Sequence, residues 1–100
     1  MLHTINKSPF EKNALDSCLR LASRGNAILL IEDAVYGAVQ GTEVAGRIEK
    51  RMKDFSFYVL GPDVAARGME KTPLIKGVKV VDYSGFVDLV AEHDSMQAWL

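Results

Sequence analysis

The sequence holds a single cysteine, Cys18, among 100 residues. An internal disulfide is therefore excluded, and a lone thiol fits a reducing compartment better than a secreted one. Charge of one sign is also missing. Twelve Lys and Arg against 13 Asp and Glu leave a formal net charge of −1, which gives no electrostatic motive for binding nucleic acid or a membrane surface. The one local basic cluster, Lys50, Arg51 and Lys53, is interleaved with Glu49 and Asp54 and reads as a solvated helix face. The densest apolar run, Ala27 to Ile31, falls far short of the roughly 20 residues that a membrane-spanning helix needs. The opening Met1-Leu2-His3-Thr4 has no basic-then-apolar leader pattern, so a cytoplasmic protein is expected. Neither G-x-G-x-x-G nor G-x-x-x-x-G-K-[ST] occurs, so no nucleotide fingerprint is present. His3 and His93 have no Cys, His or carboxylate at metal-ligand spacing. No cofactor and no metal are expected.

What is present is enough for one core. Hydrophobic types make up 48% of the chain, and its length suits a single domain over residues 1–100. Apolar runs of strand length alternate with helix-period segments, the pattern of a parallel sheet flanked by helices. Strands are expected at Leu2 to Ile5, Ala27 to Ile31, Phe55 to Leu60, Val78 to Val81 and Met96 to Leu100. Ser8, Pro9 and Glu11 spell a capping box with proline at the first helical position, which predicts a helix from there to about Arg24, stopped by Gly25. Asp33 is expected to cap a short helix, Ala34 to Gln40. Thr42 is expected to cap the next, in which Val44, Ile48 and Met52 recur every four residues. A short helix after Gly61-Pro62, closed by Gly68, and one around Phe86 to Glu92 complete the series. Right-handed crossovers then favour a small doubly wound, three-layer α/β fold with a mainly parallel sheet of about five strands.

Few residues carry chemistry. Cys18 is a candidate sulfur carrier, yet Leu15, Cys18, Leu19 and Ala22 share one helix face at i, i+3, i+4 and i+7, and free cysteine is among the most buried residue types. Core packing is the plainer reading. Glu32 and Asp33 stand at the end of the second strand, where doubly wound folds place ligands, but a capping Asp33 and a solvated Glu32 explain them as well. His93, near a helix C-terminus, suits the helix dipole. The segment Gln97-Ala98-Trp99-Leu100 holds the only tryptophan, and an aromatic there suggests an interface that Val35 and Tyr36 would extend.

Four stretches, in order along nearly the whole chain, resemble the DsrH/TusB family. They are Leu2-His3-Thr4 with Asn6-Lys7-Ser8-Pro9-Phe10; Leu29-Leu30-Ile31-Glu32-Asp33; Tyr58-Val59-Leu60-Gly61-Pro62-Asp63 with Ala66-Arg67-Gly68; and Asp82-Tyr83 with Phe86-Val87-Asp88-Leu89 and Gln97-Ala98-Trp99. The resemblance implies a flavodoxin-like, DsrEFH-like layered fold. It also implies assembly into a heterohexamer with sister subunits of the DsrE/TusD and DsrF/TusC types. Such complexes pass persulfide sulfur between cysteines to a DsrC/TusE-type carrier, for tRNA wobble 2-thiouridine or for dissimilatory sulfur oxidation. The sulfur-accepting cysteine of the DsrE/TusD-type subunit lies ahead of a helix comparable with the one ending at Arg67-Gly68. Here that region reads Gly61-Pro62-Asp63 and has no thiol, which fits a partner subunit rather than a self-sufficient enzyme. A cysteine matching Cys18, with Lys7, Phe10 and the Tyr58-to-Asp63 wording, resembles the sulfur-oxidiser DsrH branch. Two other readings stay open: Cys18 as a persulfide carrier, and a free-standing homo-oligomeric binding module.

Overall fold

The computed structural model describes residues Met1–Leu100. Five strands form one parallel sheet: β1 Leu2–Ile5, β2 Ala27–Leu30, β3 Ser56–Leu60, β4 Lys79–Val81 and β5 Met96–Trp99. They lie in the order β4-β3-β2-β1-β5. β2 is central, and β1 lies between it and the edge strand β5, pairing Leu2 with Ala27 on one side and with Met96 on the other. The helices are α1 Ala14–Leu21, α2 Glu43–Lys50, α3 Gly61–Ala66 and α4 Tyr83–Glu92, with a 3₁₀ segment at Glu32–Ala38. The layered, doubly wound architecture expected from the sequence is present, and every strand pair is parallel.

The winding order explains the two unequal faces. β1 to β4 step in one direction, so right-handed crossovers put α1, the 3₁₀ segment, α2 and α3 on one face. That face holds the main core, where Ile5, Ile28, Leu30, Phe57 and Val59 from alternate strand positions meet Leu15, Cys18, Leu19, Val35, Val44, Ile48 and Val64. The β4-to-β5 connection steps back across the sheet, which sends α4 to the opposite face. There Leu89 packs on Leu2, Ala27 and Leu29, with Phe86, Tyr58 and Val81 around them. Parallel sheets usually have both faces covered. This second face has one helix over it.

Local chemistry departs from the sequence expectation in three places. The Ser8 region is a turn, in which the Ser8 hydroxyl accepts from the Phe10 N–H at 3.3 Å and the helix starts only at Ala14. Local capping residues lose here to the tertiary requirement that Leu15, Cys18 and Leu19 face the sheet. The same helix ends at Leu21, short of the expected Arg24, with Ala22 already extended. Gly25 does not stop it but turns the chain toward β2 at a φ of 91°, free of Cβ strain only for glycine. Asp33 does not cap: the 3₁₀ segment begins at Glu32 with no side-chain cap, and the Asp33 carboxylate faces Arg67. Lys50 and Lys53 are exposed, but Arg51 is not merely solvated. It donates to Asp54 at 2.8 Å and to the Leu19 carbonyl at 2.9 Å, and lies 4.9 Å over the Phe55 ring. Thr42 does cap α2, its Oγ1 accepting from the Ala45 N–H at 3.1 Å.

Candidate functional site

In doubly wound sheets ligands bind beyond the carboxyl ends of the strands, where successive connections leave toward opposite faces. Here that switch lies between β3, which runs into α3 on the main-core face, and β4, which runs into α4 on the other. An open crevice of about 610 Å³ occupies this place, lined by Gly61, Pro62, Ala65, Val80, Val81, Asp82 and Gly85. Its walls approach closely because two of them are glycine. A Cβ on Gly85 would come within 2.9 Å of the Val81 Cβ, and one on Gly61 within 3.1 Å of Val80 Cγ1. The crevice has no thiol, hydroxyl, amine or imidazole in its lining. Its one ionisable group, Asp82, is occupied as the N-cap of α4, accepting from the Gly85 N–H at 2.7 Å. The cavity has the position of an active site and lacks a nucleophile.

A charged rim stands next to it. Asp63 on α3 accepts from the Glu32 N–H at 2.7 Å. Arg67 donates to the Asp33 carboxylate at 3.0 Å and to the Asp63 carbonyl at 3.2 Å. Glu32 has φ of 49°, a left-handed conformation that costs a residue with a Cβ roughly 1–2 kcal/mol. The Asp63 hydrogen bond holds it there. Glu32 and Asp33 thus tie the end of β2 to α3, and the two acids do not converge on a common point. At the end of β1, Asn6 carries a buried Oδ1 with no hydrogen-bond partner, for which the fold offers no account.

Cys18 lies elsewhere. Its side chain has no exposed surface and belongs to the main core. Burial pushes the thiol up to about 12, because removing water penalises the charged form. Burial thus strongly disfavours the thiolate, which is the nucleophilic form.

The residues expected at an interface are divided among different roles. Val35 is fully buried in the main core, since the 3₁₀ turn directs Ala34, Val35 and Ala38 inward, so it has no surface to offer a partner. Tyr36, next in the chain, points outward and is 38% exposed. Trp99 is half-buried against the core, and its indole N–H donates to His3 Nδ1 at 3.0 Å. His3 is 4% exposed. With Nδ1 accepting, the ring is neutral with its proton on Nε2, which donates to Asn26 Oδ1 at 3.0 Å; that oxygen also accepts from the Ser23 N–H at 3.2 Å. His3 is thereby the link between β5 and the loop before β2, a role with no signal in local sequence. His93 ends α4, with its Nδ1 at 2.7 Å from the Leu89 carbonyl.

Comparison with known proteins places these features in a family. Residues 7–96 match the family described as "DsrH like protein". The chain is 37% identical over 99 residues to Protein TusB of Pectobacterium parmentieri, covering 99% of this chain and all of the relative. It is 34% identical over 99 residues to Protein TusB of Escherichia coli strain K12, with the same coverage. Among solved structures, the YchN protein of E. coli superposes with a TM-score of 0.82 at 18% identity, over 97% of each chain. A protein of unknown function from Methanobacterium thermoautotrophicum gives 0.73 at 17% identity, over 97% of this chain and 96% of its own. At such identities the solved structures show a shared fold. No helix is long and apolar enough to cross a membrane.

Proposed function

The chain belongs to the DsrH/TusB family, and from that premise we propose that it is a non-principal subunit of a DsrEFH/TusBCD-type sulfurtransferase complex. In this reading it joins DsrE/TusD-type and DsrF/TusC-type sister subunits into a heterohexamer that hands persulfide sulfur to a DsrC/TusE-type carrier in the cytoplasm. Sulfur transfer requires an acceptor thiolate to attack the outer sulfur of a donor persulfide. The S–S bond breaks, the donor leaves as thiolate, and the acceptor becomes the new persulfide with no net oxidation. The observation that carries the reading is the crevice at the β3/β4 switch, which has the walls of an active site and no thiol. The one cysteine is in the core with its proton held. A chain so built contributes shape and contacts, and its sisters contribute the sulfur-bearing groups.

Dissimilatory sulfur oxidation is the pathway this reading assigns, on the first-helix cysteine Cys18 together with the wording of Lys7, Phe10 and Tyr58 to Asp63. A specific observation favours a second reading: the curated relatives quoted above carry the TusB name over their full length. Under it the complex serves wobble 2-thiouridine synthesis. Deleting the gene separates the two, since loss of tRNA thiolation supports the second, and loss of growth on reduced sulfur with normal tRNA supports the first. The subunit reading itself is tested by co-expression with the two sister chains. One stable complex containing all three is expected. Elution of this chain as an unaccompanied monomer would remove the proposal.

A further inference from the structure

α4 is the most apolar surface helix of the fold and the least buried. Of its ten residues only Leu89 is fully buried, and Phe86 is half-buried beside it. Tyr83, Val87 and Val90 are 62%, 66% and 42% exposed, and their i, i+4, i+7 spacing makes them one stripe on the water side. Phe86, Val87, Val90 and Ala91 line an apolar groove along the helix. An isolated exposed valine needs no explanation, but a contiguous stripe on a helix that already covers a sheet alone marks a contact surface.

Charge indicates what covers it. From Val80 to Leu100 the sequence has no Lys or Arg, and Asp82, Asp88, Glu92 and Asp94 flank the stripe, all exposed. The cation nearest in sequence, Lys79 at the start of β4, has its ammonium 6.0 Å from the Tyr58 ring centroid, over the sheet. A symmetric contact between two copies of this face would bring one acidic rim against another. Like charges meeting across an interface are repulsive and act against the wrong partner. The complementary surface therefore belongs to a different polypeptide, with an apolar centre ringed by Lys and Arg.

We propose that the outward face of α4, centred on Val87 and Val90 and ringed by Asp82, Asp88, Glu92 and Asp94, is the docking surface for a non-identical subunit with an apolar, basic-rimmed patch. This rests on the relay-subunit reading, within which one of the two sister chains is that subunit. The test uses the full chain, wild type and variants, co-expressed with both sisters, together with sedimentation of the chain alone. Val87→Arg places a cation in the apolar centre and should weaken assembly at least roughly thirtyfold, as truncation or blockade of an interface hot spot does. Asp88→Lys with Glu92→Lys should weaken it at least about tenfold, and wild-type association should fall as salt rises. Because these positions are exposed, circular dichroism and melting should match wild type. If wild type assembles and Val87→Arg assembles equally well, the α4 inference is overturned and the relay-subunit reading stands. If the charge reversal changes nothing, the basic-rimmed partner is refuted and the inference is wrong. If the isolated chain self-associates in a way that Val87→Arg abolishes, a second copy is the occupant and the inference is equally wrong. If wild type joins neither sister, the relay-subunit reading itself fails, and this inference with it.

Discussion

Trp99 and His3 are 96 positions apart in sequence and joined by a single hydrogen bond, and cutting that bond gives a sharp test of how β5 is held. Trp99→Phe keeps an aromatic ring against the core but removes the N–H. His3 Nδ1, in a residue only 4% exposed, then has an acceptor with no donor. A buried polar group left without a partner costs about 1–3 kcal/mol. For a domain of this size each kcal/mol lowers Tm by roughly 4–8 °C, so Trp99→Phe should lower it by roughly 8–16 °C if the loss is about 2 kcal/mol. His3→Leu removes the acceptor and also the Nε2 donor to Asn26 Oδ1, leaving a half-buried indole that water can reach, at a cost of about 1–2 kcal/mol. The double variant removes both polar groups together and should be more stable than the sum of the two losses implies, with a coupling of about 1 kcal/mol or more. Urea unfolding followed by far-UV circular dichroism measures all four proteins without depending on the tryptophan. Additivity of the two single losses to within about 0.3 kcal/mol would refute the hydrogen bond as a stabilising link added to the β1–β5 backbone pairing.

Three further outcomes follow from the ionisable groups. Cys18 has a folded-state value near 12 against an ordinary 9.0, so between these the folded state holds the proton that the unfolded state releases. Stability should then fall as pH rises above 9, by up to roughly 1.4 kcal/mol per pH unit. Cys18→Ala should lose that component, and identical alkaline profiles would contradict the buried thiol. Asp54 accepts from both Arg24 and Arg51, and the Arg51 hydrogen bond foremost holds its carboxyl below the ordinary 3.8. Its contribution is complete above that value and is lost as pH falls through the lower folded-state value. Asp54→Asn should therefore flatten the acid limb of the stability curve below about pH 4 and leave the shape of the neutral region unchanged; an unaltered acid limb would count against the pairing. Asp63→Ala removes the acceptor that restrains Glu32 and should cost about 1–2 kcal/mol. Asp63→Asn, which keeps an acceptor, should recover most of it by the same unfolding assay, and equal losses would show that the Glu32 hydrogen bond is not what matters.

Much of the scaffold was legible because its signals are local. Ala27 to Leu30 is a continuous apolar run because both of its faces are covered, and Thr42 announces α2 because a hydroxyl one residue before a helix has a backbone N–H to meet. The stripe of Leu15, Cys18 and Leu19 predicted the burial of the sulfur that the core displays. What was not legible depends on partners distant in sequence. Ser8-Pro9-Phe10-Glu11 has the local form of a helix start, but helix α1 begins where its apolar face first reaches the sheet. Asp33 has the chemistry of a cap and meets Arg67 instead, 34 residues on. His3 looked like an isolated polar residue in a strand, since only the parallel pairing of β5 with β1 brings Trp99 beside it. The crevice arises from the reversal of winding between β4 and β5, and no residue that lines it announces it. Val35 and Tyr36 both lie near the strand ends that carry Trp99, but a 3₁₀ turn sends one inward and the other outward.

The central claim is that this chain takes part in sulfur transfer without itself holding sulfur. The most direct measurement loads the assembled complex with persulfide, quenches it during turnover, and locates the added sulfur by mass spectrometry of each subunit. The mass of one extra sulfur atom should appear on a cysteine of a sister chain and be absent from Cys18, with Cys18→Ala transferring at the wild-type rate. Sulfur found on Cys18 at a level that rises and falls with turnover, together with a slowed Cys18→Ala complex, would contradict the account.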